Sequence, residues 1–321
     1  MRKTVLPYIM AGGLFALLLV YSGPARAGAM QGVRLWGELL VPSLLPYFAA
    51  AGLLTRLGLT ESVGRVLSPV LGRLFRLSPA GCGVFLLGLA GGYPMGAAAA
   101  AEAVEAGRLD KKEAEHLLRF SDNTGPAFAV GALGAGVFRS AGIGLLLWGV
   151  HTLSAVLLGI WCSRGRTAPE WSAPGEANRA LPVSQALTAS VQNAVTALLG
   201  IGGYVVFFSA LLAVTGELGF PGRAAELAAA HTGADTAMLR ALFTGALELS
   251  SGIGAMAGLP LTPGALALGA FLLGWGGLCV HFQAMAVTAG AGLELKGRRR
   301  GKLLHGILSA AITWLAARFF L

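Results

Sequence analysis

The sequence predicts an all-α polytopic membrane protein, and three observations predict it. Of 321 residues, 55% are hydrophobic and only 12% charged, against about 25% charged in an average soluble domain. Mean hydropathy is +0.70. The 48 glycines suit membrane helices, whereas a soluble helix loses about 1 kcal/mol at each glycine relative to alanine. This composition excludes an ordinary soluble enzyme. Cys82, Cys162 and Cys279 form no CxxC pair, so neither a disulfide framework nor a structural metal is expected.

A crossing needs about 20 apolar residues. Residues 4–22, 141–162, 194–215 and 303–317 carry no charge and are read as spans. Ala25-Arg26-Ala27 has the form of a signal-peptidase site, and cleavage of the leading helix stays open. Residues 39–55 form a further span, kinked near its start by Pro42 and Pro46, after an interfacial stretch with Arg34, Trp36 and Glu38. Residues 62–77 place Val63, Val66, Leu67, Val70, Leu71, Leu74 and Phe75 at helical spacing, the pattern of a helix lying on the membrane. Residues 110–121, opened by Asp110 and Glu113, read as a solvated helical connector.

The net charge of +9 comes from 24 Lys and Arg against 15 Asp and Glu. The basic residues gather between apolar runs: Arg56, Arg65, Arg73 and Arg76; Arg164, Arg166 and Arg179; Lys296, Arg298, Arg299, Arg300 and Lys302. The positive-inside rule makes these loops cytoplasmic. A nucleic-acid partner is not expected; the expected partners are the lipid bilayer and a small-molecule solute, with a homo-oligomer left open.

The other apolar segments are broken in their middles. Residues 80–106 break at Gly91-Gly92-Tyr93-Pro94, and residues 236–258 break after Glu248, at Ser250-Ser251-Gly252. Each half reaches only about half a bilayer, the length of a re-entrant hairpin. Residues 121–138 begin Ser121-Asp122-Asn123-Thr124-Gly125-Pro126, and residues 263–289 are interrupted at Gly274-Trp275-Gly276-Gly277 before His281 and Gln283. In order, the chain reads as a leading helix (1–30), a first repeat (31–163, hairpin 80–106), a cytoplasmic linker with a lead-in helix (164–193) and a second repeat (194–321, hairpin 236–258). Three crossings per half invert the second half relative to the first, for about seven full crossings. Loops 56–79, 101–120, 163–193 and 290–302 then lie inside, and 23–38 and 217–235 outside.

The half-helices beginning at Gly92-Tyr93-Pro94 and Ser250-Ser251-Gly252 would aim unpaired amides at the midplane, where an anionic group fits. Asn123, Thr124, His281 and Gln283 are the expected orienting groups around the same solute. Glu248, flanked by Leu247 and Leu249, costs about 2.5–3.5 kcal/mol within a membrane. It is read as a proton or cation site, against the alternative of a packing carboxylate that bonds a neighbouring amide or hydroxyl. Asp122 is a second coupling candidate, or a simple helix cap. His151 reads as an interhelical bond. No cofactor is expected, and the coupling ion would be Na+ or H+. HExxH, Walker and GxSxG patterns are absent, so the chain does not read as an enzyme.

The stretches VPSLLPYF (41–48), GLAGGYPMGA (88–97), FSDNTGPAFAVGALGAGVF (120–138), LLGIGGYVVFFSALL (198–212), GALELSSGI (245–253) and FLLGWGGLCVHFQ (271–283) together resemble the sporulation integral membrane protein YlbJ family. That family falls within the wider group carrying the nucleoside-recognition Gate domain. Asp122 stands where a second asparagine would be expected, and the loop 164–182 is short. The resemblance implies a permease-like architecture related to concentrative nucleoside transporters. It implies a protein of the bacterial cell membrane, in sporulating members the outer forespore membrane, with dipicolinic acid as solute. The expectation is a permease for a small anionic or nucleoside-like solute; the alternative is a non-transporting membrane component of spore assembly.

Overall fold

The computed structural model describes residues 2–167 and 182–319; Arg179 and the middle of the expected linker 164–193 lie outside the described residues. Every regular element among the described residues is helical. Helix α1 (Arg2–Val20) turns by 94° into α2 (Ser22–Arg34). Its apolar side chains, Leu6, Ile9, Phe15 and Leu19 among them, remain exposed, as a lipid-facing surface requires.

The segment 23–38, expected as a loop, is instead α2 and a π-wound stretch (Leu35–Leu40) laid along α9 (Val183–Glu217). Gly28 and Gly32 explain this. A Cβ would meet the Ser209 carbonyl at 2.5 Å from Gly28 and the Val206 Cα at 2.7 Å from Gly32, so only two glycines four apart let the backbones touch. Trp36 then donates its indole N–H to the Leu198 carbonyl at 2.8 Å.

Helix α3 (Val41–Arg56) also packs on α9, and α4 (Leu59–Phe75) meets α5 (Pro79–Gly91) at 89°. On α4, Val63, Val66, Val70 and Leu74 face outward, while Phe75 is buried against Phe85 and Phe120 at ring distances of 4.9 and 5.2 Å. Aromatic contacts of this kind add to the burial energy. Helix α6 (Met95–Glu105) completes the hairpin. Helix α7 (Lys111–Leu117) follows, its N-cap Asp110 accepting the amides of Lys112 and Glu113.

This connector is tied to the bundle by two buried side chains. Glu113 accepts the Ser78 amide at 2.6 Å at the start of α5, and burial lifts its carboxyl above the usual range. His116 reaches the Phe75 carbonyl and the Ser163 hydroxyl, each at 3.1 Å, and burial lowers its imidazole to about 4.

An unwound stretch through Pro126 leads into a π-helix (Ala127–Val137), then α8 (Ala141–Cys162). After α9 come α10 (Gly222–Thr232), α11 (Thr236–Leu247), α12 (Leu249–Ala255), α13 (Pro263–Trp275), α14 (Gly277–Thr288) and α15 (Lys296–Ala317). The expected outer loop 217–235 thus contains a helix, and the loop 290–302 ends where α15 starts. Among the described residues, three stretches are long and apolar enough to cross a membrane by themselves: Ala141–Cys162, Val183–Glu217 and, across its break, Pro263–Thr288. The last of these lies side by side with α15, Gly274 meeting Gly306 backbone to backbone.

Candidate functional site

Four helix interruptions meet in one place. A Cβ on Gly92 would lie 2.8 Å from the Gly125 amide nitrogen, and one on Gly276 would lie 3.3 Å from the Tyr93 ring. Gly277 approaches the next break, its would-be Cβ 2.9 Å from the Gly245 carbonyl and 3.1 Å from the Leu249 amide. Both Gly276 and Gly277 have left-handed φ, 81° and 78°, a conformation that only glycine adopts freely. The structure therefore brings Gly92, Tyr93 and Pro94 beside Asp122, Asn123 and Thr124, and both beside the breaks at 248 and 276.

Broken helices leave carbonyls without partners, and here each break satisfies another. Tyr93 donates its hydroxyl to the carbonyls of Leu273 and Gly274 at 3.1 and 3.2 Å, and Thr124 donates to Leu273 at 2.9 Å. Trp275 donates its indole N–H to the Ala246 carbonyl at 3.1 Å. In a membrane such donors are required, because no water competes for the freed acceptors.

The second hairpin differs from the expectation of an anion cradle at Ser250, Ser251 and Gly252. Glu248, only 3% exposed, is the N-cap of α12: its carboxylate accepts the Ser250 amide at 3.0 Å and the Ser251 amide at 2.6 Å. The amides expected to face a solute are thus occupied by the chain's own carboxylate. Gly252 packs against Gly245 and contributes close approach only.

Sequence reasoning missed a group of charged side chains at the centre. The basic cluster read as a loop is the first two turns of α15, and two of its members turn inward. Arg298 donates Nε to Asp122 Oδ2 at 3.0 Å and Nη2 to the same oxygen, while the other Asp122 oxygen accepts the Ala97 amide of α6 at 3.3 Å. Its Nη1 donates to His281 Nδ1 at 2.7 Å. Lys302 donates to Asn123 Oδ1 at 2.9 Å, lies 3.5 Å from His305 Nδ1 and sits over the Tyr93 ring at 5.2 Å. Asp122 and Lys302 are wholly buried. The signal was present in the spacing: Arg298, Lys302, His305, Ser309 and Thr313 recur at i, i+4, i+7, i+11 and i+15 on one helix face.

The partners fix the imidazole protons. A guanidinium only donates, so His281 Nδ1 is bare and Nε2 carries the hydrogen. His305 Nε2 donates to the His151 carbonyl at 2.8 Å, which leaves its Nδ1 free to accept Lys302. His151, expected as an interhelical bond, accepts the Thr124 amide at 3.1 Å on Nε2 and stacks on His305 at 4.2 Å.

Gln283 lies on the opposite face of α14 from His281. It lines a cavity of about 620 Å³ between α3, α6, α9 and α14, together with Arg56, Glu102, Glu105, Arg108 and Asn193. Arg56 pairs with Glu102 at 3.0 Å, and Arg108 donates to the Thr55 carbonyl at 2.6 Å. Two of its four walls, α6 and α14, are the far halves of interrupted elements. Of the residues expected to bind a solute, Gln283 is the one that lines this cavity.

No family model matches the chain, and no solved structure matches it. Among curated proteins, the chain is similar to the sporulation integral membrane protein YlbJ of Bacillus subtilis (strain 168), at 28% identity over 331 aligned residues covering 94% of this chain and 80% of that protein. Similarity over so much of both chains, together with the long apolar helices, marks this chain as an integral membrane protein similar to YlbJ.

Proposed function

We propose that the protein is a permease for a small anionic solute, with dipicolinate, which the family resemblance implies, as the first candidate. In this reading the chain is an inverted repeat of broken helices with two re-entrant hairpins and about seven crossings, akin to the Gate-domain nucleoside carriers, working in the outer forespore membrane. The observation that carries it is the cavity of about 620 Å³ behind the converging breaks, within the usual size range of small-molecule sites. Its lining offers two guanidiniums, Arg56 and Arg108, against two carboxylates, Glu102 and Glu105. An entering carboxylate competes with Glu102 for Arg56, and the Asn193 and Gln283 amides are placed to orient it. Because two of the cavity's four walls, α6 and α14, belong to interrupted elements, their movement would alter its shape directly.

The test is uptake of radiolabelled dipicolinate by lipid vesicles carrying the purified protein. Uptake above that of empty vesicles is expected. Failure to take up dipicolinate or any nucleoside would overturn the permease reading in favour of a non-transporting component of spore assembly.

A further inference from the structure

Helix α15 carries a buried polar column along its whole length. Arg298, Lys302, His305, Ser309 and Thr313 are each no more than 2% exposed. Arg298 and Lys302 bond into the unwound stretch at Asp122 and Asn123, and His305 bonds the His151 carbonyl on α8. Beyond them, the hydroxyls of Ser309 and Thr313 have no hydrogen-bond partner, and neither do Ser154 Oγ and His151 Nδ1 on α8. From Arg298 to Thr313 the column rises about 22 Å, most of the roughly 30 Å apolar core of a bilayer.

Among the described residues, buried hydroxyls fall into two groups, and Ser121 and Thr152 share the unpartnered state of Ser154, Ser309 and Thr313. Thr55, Ser163, Ser190 and Thr288, all buried in or at the ends of helices, donate back to the carbonyl four residues earlier, at 2.9, 2.7, 2.7 and 2.7 Å. Ser154, Ser309 and Thr313 do not take that option. A buried hydroxyl that forgoes the local bond is costly unless a polar partner such as water fills the role. His151 adds a buried N–H on the same side, since its Nε2 is occupied as an acceptor.

From this we infer that the column is a hydrated proton path, joining the charged cluster at Asp122 to the membrane face at the C-terminal end of α15, and that the coupling ion of the proposed transport is H+. The inference rests on the permease reading only for its link to solute. Sodium is disfavoured by chemistry. The carboxylate of Asp122 is already engaged by Arg298 and the Ala97 amide, and Arg298 and Lys302 place two cations where Na+ would have to sit. Protons need no such site. A proton enters from water at the Thr313 end and passes along hydroxyls and water. At the cluster Lys302 first passes a proton to His305 Nδ1, the bare ring nitrogen 3.5 Å away; the neutral amine takes up the arriving proton, releases one to the far side and recovers its own from the imidazole, so that one proton leaves for each that enters. The groups that touch the His151–His305 pair are Thr124 in the unwound stretch and Lys302 on α15; Asn123 and Tyr93 reach it through Lys302, and Asp122, Arg298 and His281 form the charged cluster beyond.

Vesicles carrying the full chain, loaded with a pH-sensitive dye and driven by a potassium diffusion potential, test this with dipicolinate present and absent. The native protein is expected to admit protons at least tenfold faster than empty vesicles when dipicolinate is present. The combined Ser309→Ala, Thr313→Val variant removes hydroxyls without changing charge, and it should lower proton entry about tenfold while eluting as a folded, monodisperse protein. Proton entry equal to empty vesicles under both conditions, or unchanged in the variant, overturns the inference. Dipicolinate uptake that is sodium-dependent and proton-free overturns it while leaving the permease reading intact. Proton entry without uptake of dipicolinate or any nucleoside sustains the path and removes the permease reading. Should the double variant not fold, His305→Gln, which keeps a polar side chain at the same place in the column, gives the same readout with the same outcomes.

Discussion

Arg298 and Asp122 form a wholly buried ion pair, two guanidinium nitrogens on one carboxylate oxygen, across 176 residues of sequence. The pair fastens α15 to the unwound stretch before the π-helix, and through the second carboxylate oxygen to the first turn of α6. Removing one partner of a buried pair strands the other's charge, at about 3–5 kcal/mol. Asp122→Asn and Arg298→Met should each cause a loss of that size in thermal unfolding of the detergent-purified protein. The double variant should recover much of it. Additive losses would show that the two residues are stabilised independently.

Glu248→Gln tests the cap on α12. Glutamine keeps one acceptor oxygen for the Ser250 and Ser251 amides, so the expected cost is about 1 kcal/mol, with the pH and sodium dependence of transport unchanged. A variant of native stability whose ion dependence has shifted would return Glu248 to the coupling role that its position in the sequence suggests.

The expected membrane sidedness is checked by cysteine labelling in a Cys162→Ala background. Thr167 and Ala230 are both exposed. Thr167→Cys should react only after permeabilisation, and Ala230→Cys with an impermeant reagent from outside. Labelling of both from one side would remove the inverted arrangement of the halves.

Arg56→Gln should lower dipicolinate uptake about tenfold, equivalent to about 1.4 kcal/mol, while leaving the melting temperature nearly unchanged, because the Arg56–Glu102 pair is partly exposed. Unaltered uptake would place the solute outside this cavity.

Acid should loosen the connector at α7. Burial lowers the His116 imidazole from 6.5 to about 4, so between those values the unfolded chain binds the extra proton. Stability is full above about 6.5 and is lost as pH falls towards 4. Glu113, whose carboxyl burial raises from 4.5, contributes with the opposite sign, losing stability as pH rises through 4.5. Unfolding at pH 7.5 and 5.0 should therefore be compared between the native chain and His116→Gln, and the variant should show the flatter dependence.

The breaks were legible because the residues that make them are chemically distinct. Gly91-Gly92-Tyr93-Pro94, the run from Ser121 to Pro126 and Gly276-Gly277 each interrupt an apolar segment with residues that a continuous helix does not favour. Asp110 was legible as a cap for the same reason. Helix α2 was not, since its low hydropathy hides the fact that Gly28 and Gly32 alone decide its packing on α9. The inward turn of Arg298 and Lys302 was also hidden. Counting charges assigns Lys296–Lys302 to a loop, and Asp122 and Asn123 lie too far away in sequence to suggest a pairing. The spacing of Arg298, Lys302 and His305 carried the information, but only once their helix was known to begin at Lys296.

The cross-bonding of the breaks has a mechanical consequence. The carbonyls at the end of α13 depend on Tyr93 from one hairpin and on Thr124 from the unwound stretch, and the carbonyl end of α11 depends on Trp275. Pulling any of these apart would strip acceptors of their donors where lipid offers no substitute. The three junctions must therefore travel as one stiff knot, with α15 pinned to it by Arg298 and Lys302. The cavity lies on the other side, where α3 and α9 face α6 and α14 and the partly exposed Arg56–Glu102 pair is the ion pair that spans it.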